Sequence, residues 1–326
     1  MRDFGYARAD DPALAVAAIA ADSGARLIAG GTELVNLLKD GIDEPELLVD
    51  ISRVPLTGIE TGPGGLHLGA LARMSDVAAS PLVRRDYPGI AEALELSASA
   101  QLRNMATMGG NLMQRTRCPY FRADYHLPCN KRRPGTGCAA LTGATRAAAL
   151  FGASDMCVAT HPSDVAVMLA ALDATVQATG PQAARIISIL DFHRLPGDAP
   201  ERDTILGRDE MITGIDVPAS SVTARSHYVK VRERASYEFA LVSAAVAVDL
   251  DGIVIREARV ALGGVAPRPW RLPAAERALV GVAARPGDLQ AAIGPAFADA
   301  RPLPGNEFKV KLAERTVLRA LTEVIR

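Results

Sequence analysis

The sequence predicts an α+β fold: a two-part domain over residues 1–220 and a smaller antiparallel-sheet-and-helix domain over 221–326. Three observations predict it. At 326 residues the chain is too long for one ordinary core. Its first 58 residues alternate short strand and helix signals around glycine turns. Beyond a boundary near Pro218–Val222 the pattern changes to a β-rich stretch and then to helices.

The elements follow in order. Asp11-Pro12 opens an Ala-rich helix that Ser23-Gly24 closes, because Pro suits a first helical turn and Gly an exit. Residues 26–29 read as a strand running straight into Gly30-Gly31, after which Thr32 caps a helix through Lys39, stopped by Gly41. Residues 46–51 form the next strand. A Gly-Pro-Gly-Gly turn leads into a strand over 66–71, and Ser75 and Pro88 begin helices. Residues 163–173 form an apolar helix, followed by two strands around Gly180-Pro181. Residues 228–265 are β-rich with Asp251-Gly252 as a hairpin turn. Helices begin at Pro273 and end with one over 307–326.

Composition narrows the function. Apolar residues at 49% and charged residues at 22% are those of a water-exposed globular protein. A net charge of −1 leaves no excess of cations to displace counterions from nucleic acid. No apolar run approaches the ~18–20 residues that span a bilayer. Asp3, Asp10 and Asp11 give the N-terminus the wrong charge for a secretory signal. The expected compartment is the cytoplasm, or the periplasm by co-export with a signal-bearing partner.

Two glycine motifs carry the first chemical signal. Leu27-Ile28-Ala29-Gly30-Gly31-Thr32-Glu33-Leu34 takes a strand through a Gly-Gly turn into a helix, and Thr107-Met108-Gly109-Gly110-Asn111-Leu112 repeats a hydroxyl, two glycines and an amide. Glycine lets a diphosphate approach backbone N–H groups that a side chain would screen. A plain strand-to-helix turn would read the same way for either motif alone. The dinucleotide fingerprint Gly-x-Gly-x-x-Gly is absent, so nicotinamide binding gains no support.

Together the motifs resemble the two flavin motifs of the FAD subunits of molybdenum hydroxylases, the xanthine dehydrogenase and carbon monoxide dehydrogenase family. The resemblance covers nearly the whole chain. It implies an FAD-binding domain of the vanillyl-alcohol-oxidase (PCMH) type and a C-terminal domain like that of the carbon monoxide dehydrogenase flavoprotein. The first loop would grip the diphosphate; Thr107, Gly109, Gly110 and Asn111 would lie along the ribityl chain and flavin. Three further positions carry over from the resemblance: Asp164 as an acid facing the ring, Ile212 as an aliphatic side chain packed on it, and Lys230 near its edge. Without the resemblance, Asp164 reads equally as a helix N-terminal acid and Lys230 as a solvated strand lysine. Glu33 stands where many relatives have Asp.

The second signal is an insertion. Most relatives reach the acid segment within about ten residues of Gly-Gly-Asn, whereas here Asn111 and Asp164 are 53 positions apart. Cys118, Cys129, Cys138 and Cys157, the only cysteines, lie in this insertion of about 113–158 or at its end. Free buried thiols are the plain alternative. Zinc sites generally use close Cys-x2–4-Cys pairs, which are missing, while a [4Fe–4S] cluster tolerates wide spacing. The surrounding text resembles the [4Fe–4S]-bearing FAD subunit of periplasmic-type aldehyde oxidoreductases. From Arg103 to Arg146 eight Arg/Lys face the single acid Asp124, and we expect them to offset a cluster's negative charge. His126 in the same loop reads as structural or solvent-facing.

The expectation is an electron-transfer subunit carrying FAD and a [4Fe–4S] cluster, with substrate oxidised elsewhere. The resemblance implies a heterotrimer in which the molybdopterin cofactor and the [2Fe–2S] clusters sit on partner subunits and an external acceptor removes the electrons. The alternative is a self-contained FAD oxidase with a structural metal loop, which would need an acid/base pair that the sequence does not display. A metal-stabilised scaffold that has lost FAD is a third reading.

Overall fold

The computed structural model describes all 326 residues. The N-terminal part runs β1 (Gly5–Arg8), α1 (Pro12–Ala21), β2 (Ala25–Ile28), α2 (Leu34–Lys39) and β3 (Leu47–Asp50). Its three strands form a parallel sheet in the order β1-β3-β2. Asp11 caps α1 by accepting from Leu14 N at 2.9 Å, with Pro12 in the first turn as expected. At α2 the cap falls on Glu33, not Thr32, and no side chain bonds the helix end.

The second part contains β4 (Ile59–Gly62), β5 (Gly65–Gly69), α3 (Met74–Ala79), α4 (Pro81–Asp86), α5 (Pro88–Glu95), α6 (Ala100–Arg103), α7 (Met108–Leu112) and α8 (Pro119–Arg122). After the cysteine segment come α9 (Asp164–Ala171), β6 (Thr175–Thr179), β7 (Ala184–Ser188), α10 (Ile189–Phe192) and β8 (Met211–Pro218). The five strands make an antiparallel sheet, β4-β5-β8-β6-β7, with β8 returning to its centre. The apolar helix α9 is buried along its whole length, so it shows no polar face. It joins α5 and the inner faces of β5, β6 and β8 in the largest core.

The third part is β9 (Ser226–Val231), β10 (Val242–Asp251), β11 (Val254–Gly263), β12 (Trp270–Arg271), α11 (Pro273–Leu279), α12 (Pro286–Ile293) and α13 (Phe308–Val324). Its sheet runs β12-β11-β10-β9, antiparallel throughout, with Gly252 at φ +59° in the β10–β11 turn. α13 lays Ala313, Val317, Ala320 and Leu321 onto this sheet at helical spacing, closing a second core. The other face of β9 and β10 packs on α5 and α9, which brings Tyr228 and Lys230 against the second part.

Candidate functional site

A cleft opens between the two glycine motifs and the β9–β10 loop. Thr32 and Glu33 form one end; Met74, Gly110 and Asn111 line the middle; Asp164, Tyr237 and Phe239 lie on the far wall. The first motif packs against the residues that lead into the second. A Cβ on Gly30 would lie 1.8 Å from the backbone oxygen of Met105, just ahead of the second motif. Gly31 is needed for a different reason, its φ of +69°.

The first loop has the donors that a diphosphate needs. No hydrogen bond within the protein takes up the backbone N–H groups of Gly30, Gly31, Thr32 or Glu33. Four successive free amides beside a cleft suit an anion with several oxygens. Leu27, Ile28 and Ala29 bring the strand into the loop, and Leu34 begins α2 behind it. In the second motif the amides are already used: Met108 N donates to Ala72 O, Gly109 N to Ala70 O and Gly110 N to Thr107 Oγ1. That motif offers shape and the Asn111 amide, which receives a hydrogen bond from Ser163 Oγ at 2.5 Å.

Asp164 begins α9, capped by Ser163, and lines the cleft. Its carboxylate accepts from Tyr228 OH at 2.8 Å, Lys230 Nζ at 2.8 Å and Ser97 Oγ at 3.0 Å. The Lys230 and Asp164 side chains are only 1% and 6% exposed, so this is a buried ion pair, not a solvated lysine at an edge. Burial, with the adjacent Asp164 charge, pushes the Tyr228 hydroxyl well above its usual range and keeps it a donor. Ile212 departs from its expected place. It belongs to β8, opposite Ala178 and packed into the large core, and it is not among the residues lining the cleft.

The four cysteines, up to 39 positions apart in sequence, line one small pocket with Tyr120, Phe121 and Met156. Cys129 and Cys138 face each other across an antiparallel bridge, and Cys157 is bridged to Ser154. None is in a disulfide. Burial raises the Cys118 thiol, with Cys129 and Cys138 adding to the effect. Burial also pushes Cys157 up to about 11, against the pull of Lys131. No group of three or more His, Cys, Asp or Glu converges as a single-ion site. His126 is exposed on the loop.

The basic residues are placed differently from the sequence expectation. Arg115 and Lys131 both bond Asp203, at 2.6 Å each, and Arg146 pairs with Glu233. Arg117 and Arg122 converge on Glu33. Five of the eight cations thus pair with three protein carboxylates, with Lys131 the cation that acts on Cys157. Sequence reasoning missed these pairings because the acids lie about 70–90 positions from their partners. It also missed Ser97 and Tyr228; the i, i+2 spacing of Tyr228 and Lys230 on one strand face was the available signal.

A parallel β-α-β unit joined to an antiparallel sheet, with a diphosphate-ready loop between them, defines a flavin-binding protein. Residues 2–220 match the FAD binding domain in molybdopterin dehydrogenase and residues 227–324 the CO dehydrogenase flavoprotein C-terminal domain. The chain belongs to the FAD-binding subunits of the molybdenum hydroxylase family. It is 46% identical to the aldehyde oxidoreductase FAD-binding subunit PaoB of Escherichia coli K12, over 99% of this chain and 98% of that one. It is 28% identical to the glyceraldehyde dehydrogenase medium chain of Sulfolobus acidocaldarius, over 86% and 82% of the two chains. Among solved structures, a chain of carbon monoxide dehydrogenase from Hydrogenophaga pseudoflava matches with a TM-score of 0.75 and 28% identity, covering 98% and 96% of the two chains.

Proposed function

We propose that this chain is the electron-transfer flavoprotein subunit of a molybdenum-containing aldehyde oxidoreductase. Electrons would arrive from [2Fe–2S] clusters on one partner subunit, aldehyde would be oxidised at the molybdenum cofactor on another, and an external acceptor would be reduced here. The observation that carries the flavin assignment is the row of four unbonded amides, Gly30 to Glu33, at the end of a cleft shared with the second motif. The 46% identity to an aldehyde oxidoreductase subunit supports the substrate class.

The residues divide the work. The first-loop amides would hold the diphosphate, while Thr107, Gly109, Gly110 and Asn111 flank the rest of the cofactor. Asp164 presents its buried carboxylate to the cleft, and Lys230 and Tyr228 fix its position. Bound FAD supplies one- and two-electron exchange between partners of unlike electron number. No His or Cys lines this cleft, which favours noncovalent binding. No helix of the chain is long and apolar enough to cross a membrane.

We assign an additional [4Fe–4S] cluster to Cys118, Cys129, Cys138 and Cys157. Support comes from the shared cavity and from the chemistry of four free thiols. Zinc sites generally use close Cys-x2–4-Cys pairs, which this chain lacks, whereas the ligands of a cubane tolerate wide spacing. Metal and flavin analysis of anaerobically purified protein tests both assignments. About four irons and one acid-extractable FAD per chain are expected; one zinc without iron would overturn the cluster, and flavin retained by the acid-precipitated chain would overturn noncovalent binding.

A further inference from the structure

Helix α2 touches both candidate sites. Its leading turn is the Gly30–Gly31 loop, and its remaining length is docked on the cysteine insertion at three points. At the start, Glu33 Oε1 accepts from the backbone N of Arg115 at 2.9 Å and from the Arg122 guanidinium, while Oε2 lies in ion-pair contact with Arg117 Nη2 at 2.6 Å without a hydrogen bond. In the middle, Leu37 is buried with Phe121 and Cys129, and Cys118 packs against this group. At the end, Arg132 Nη2 donates to the carbonyls of Asp40 and Gly41 at 3.2 and 3.4 Å.

Glu33 is the charged joint of this arrangement. Its side chain is 15% exposed, and those of Arg122 and Arg117 are 14% and 28% exposed. Two partly buried arginines from the insertion therefore share one carboxylate in the first glycine motif. Removing that carboxylate leaves two like charges facing each other with little water to screen them. An aspartate, one methylene shorter, would not span both.

We propose that Glu33 is a positioning residue that couples FAD retention to the integrity of the cysteine insertion. This rests on the reading that the Gly30–Gly31 loop holds the diphosphate and that the four cysteines hold a metal cluster. When the thiols are held around a cluster, the segment from Arg115 to Arg122 keeps a fixed course. It then fixes Glu33 and, through it, the direction of the free loop amides. When the cluster is lost, the two N–H donors and the Arg117 cation on Glu33 lose their common anchor and the loop loosens. Linkage makes the effect reciprocal: flavin in the cleft stabilises the insertion by the same factor.

The test compares FAD affinity, read by flavin fluorescence, in the iron-loaded chain and after iron removal by a chelator. A loss of about tenfold in affinity on iron removal is expected, within the usual range for coupled sites. Glu33→Gln keeps the shape without the charge. It should bind FAD about tenfold more weakly with iron present and show no further loss when iron is removed. Glu33→Asp should recover part of the iron dependence, and Arg132→Gln, at the other end of α2, should weaken the coupling while leaving the Glu33 cluster of bonds intact. A merely structural role for Glu33 would lower FAD affinity in the Gln variant yet leave its dependence on iron, which overturns the proposal. So does an affinity in the unaltered chain that ignores iron removal. Gly31→Val separates the underlying readings: full FAD binding by that variant overturns the loop assignment, and absence of iron from the unaltered chain overturns the cluster and the coupling with it.

Discussion

Replacing Gly30 with Ala is the sharpest perturbation of the cleft. The added Cβ would sit 1.8 Å from Met105 O and 2.6 Å from Met105 C, both backbone atoms. An ordinary contact begins near 3.4 Å, so the first motif and the Met105 backbone must separate by about 1.6 Å. A side chain could rotate away, but two backbone segments cannot. Overpacking of this kind costs about 3 kcal/mol, which, if expressed in the competent form of the cleft, is more than about a hundredfold in FAD affinity. Gly31→Ala should be milder. Its nearest neighbour is the Val35 side chain at 3.1 Å, and the main penalty is left-handed strain of about 1–2 kcal/mol. Gly62→Ala, with open space around it, is the control. FAD titration followed by flavin fluorescence, with thermal melting of each apoprotein, separates binding from stability. If Gly30→Ala binds FAD as Gly62→Ala does, the two motifs do not jointly form the cleft.

Other predictions follow from the buried groups. Asp164→Asn leaves the Lys230 ammonium buried without its counter-charge and should destabilise the chain by about 3–5 kcal/mol in urea unfolding; a change under 1 kcal/mol would contradict the burial. Any one of the four cysteines changed to Ser should deplete iron while the chain stays folded by circular dichroism. Lys309 Nζ donates to Ala148 O and Gly264 O in a buried site, and burial brings its pKa down from 10.5 to about 7. Between those values the unfolded chain holds the extra proton, so stability should rise with pH across that window and lose that contribution as pH falls through 7. Lys309→Met should flatten that rise in pH-dependent denaturation, and an unchanged slope would refute the assignment.

Local signals carried much of the fold. The strand into Gly30-Gly31, the Asp11-Pro12 start of α1 and the Asp251-Gly252 hairpin all rest on backbone preferences that neighbouring residues declare. β1 gave no such signal: four residues with a mostly exposed pattern, held by parallel pairing to β3 some 42 positions away and by the Asp50 side chain. The Thr32 cap failed because the turn ends on Glu33, whose side chain bonds the insertion instead of the helix. Composition put positive charge around the cysteines, but could not show that Asp203 and Glu33 would fold in to pair with four of those cations. Ile212 illustrates the same limit. Its aliphatic character suits a ring contact and a sheet core equally, and the pairing of β8 with β6 sends it to the core.

The central claim is that this chain carries electrons delivered by partner subunits and oxidises no aldehyde itself. Stopped-flow absorbance of the flavin, recorded on adding aldehyde under anaerobic conditions, tests it most directly. The FAD- and iron-loaded chain alone should show no bleaching, and the same chain mixed with the molybdenum and [2Fe–2S] subunits should bleach with aldehyde. Bleaching by aldehyde in the isolated chain would contradict the account and identify a self-contained flavin oxidase.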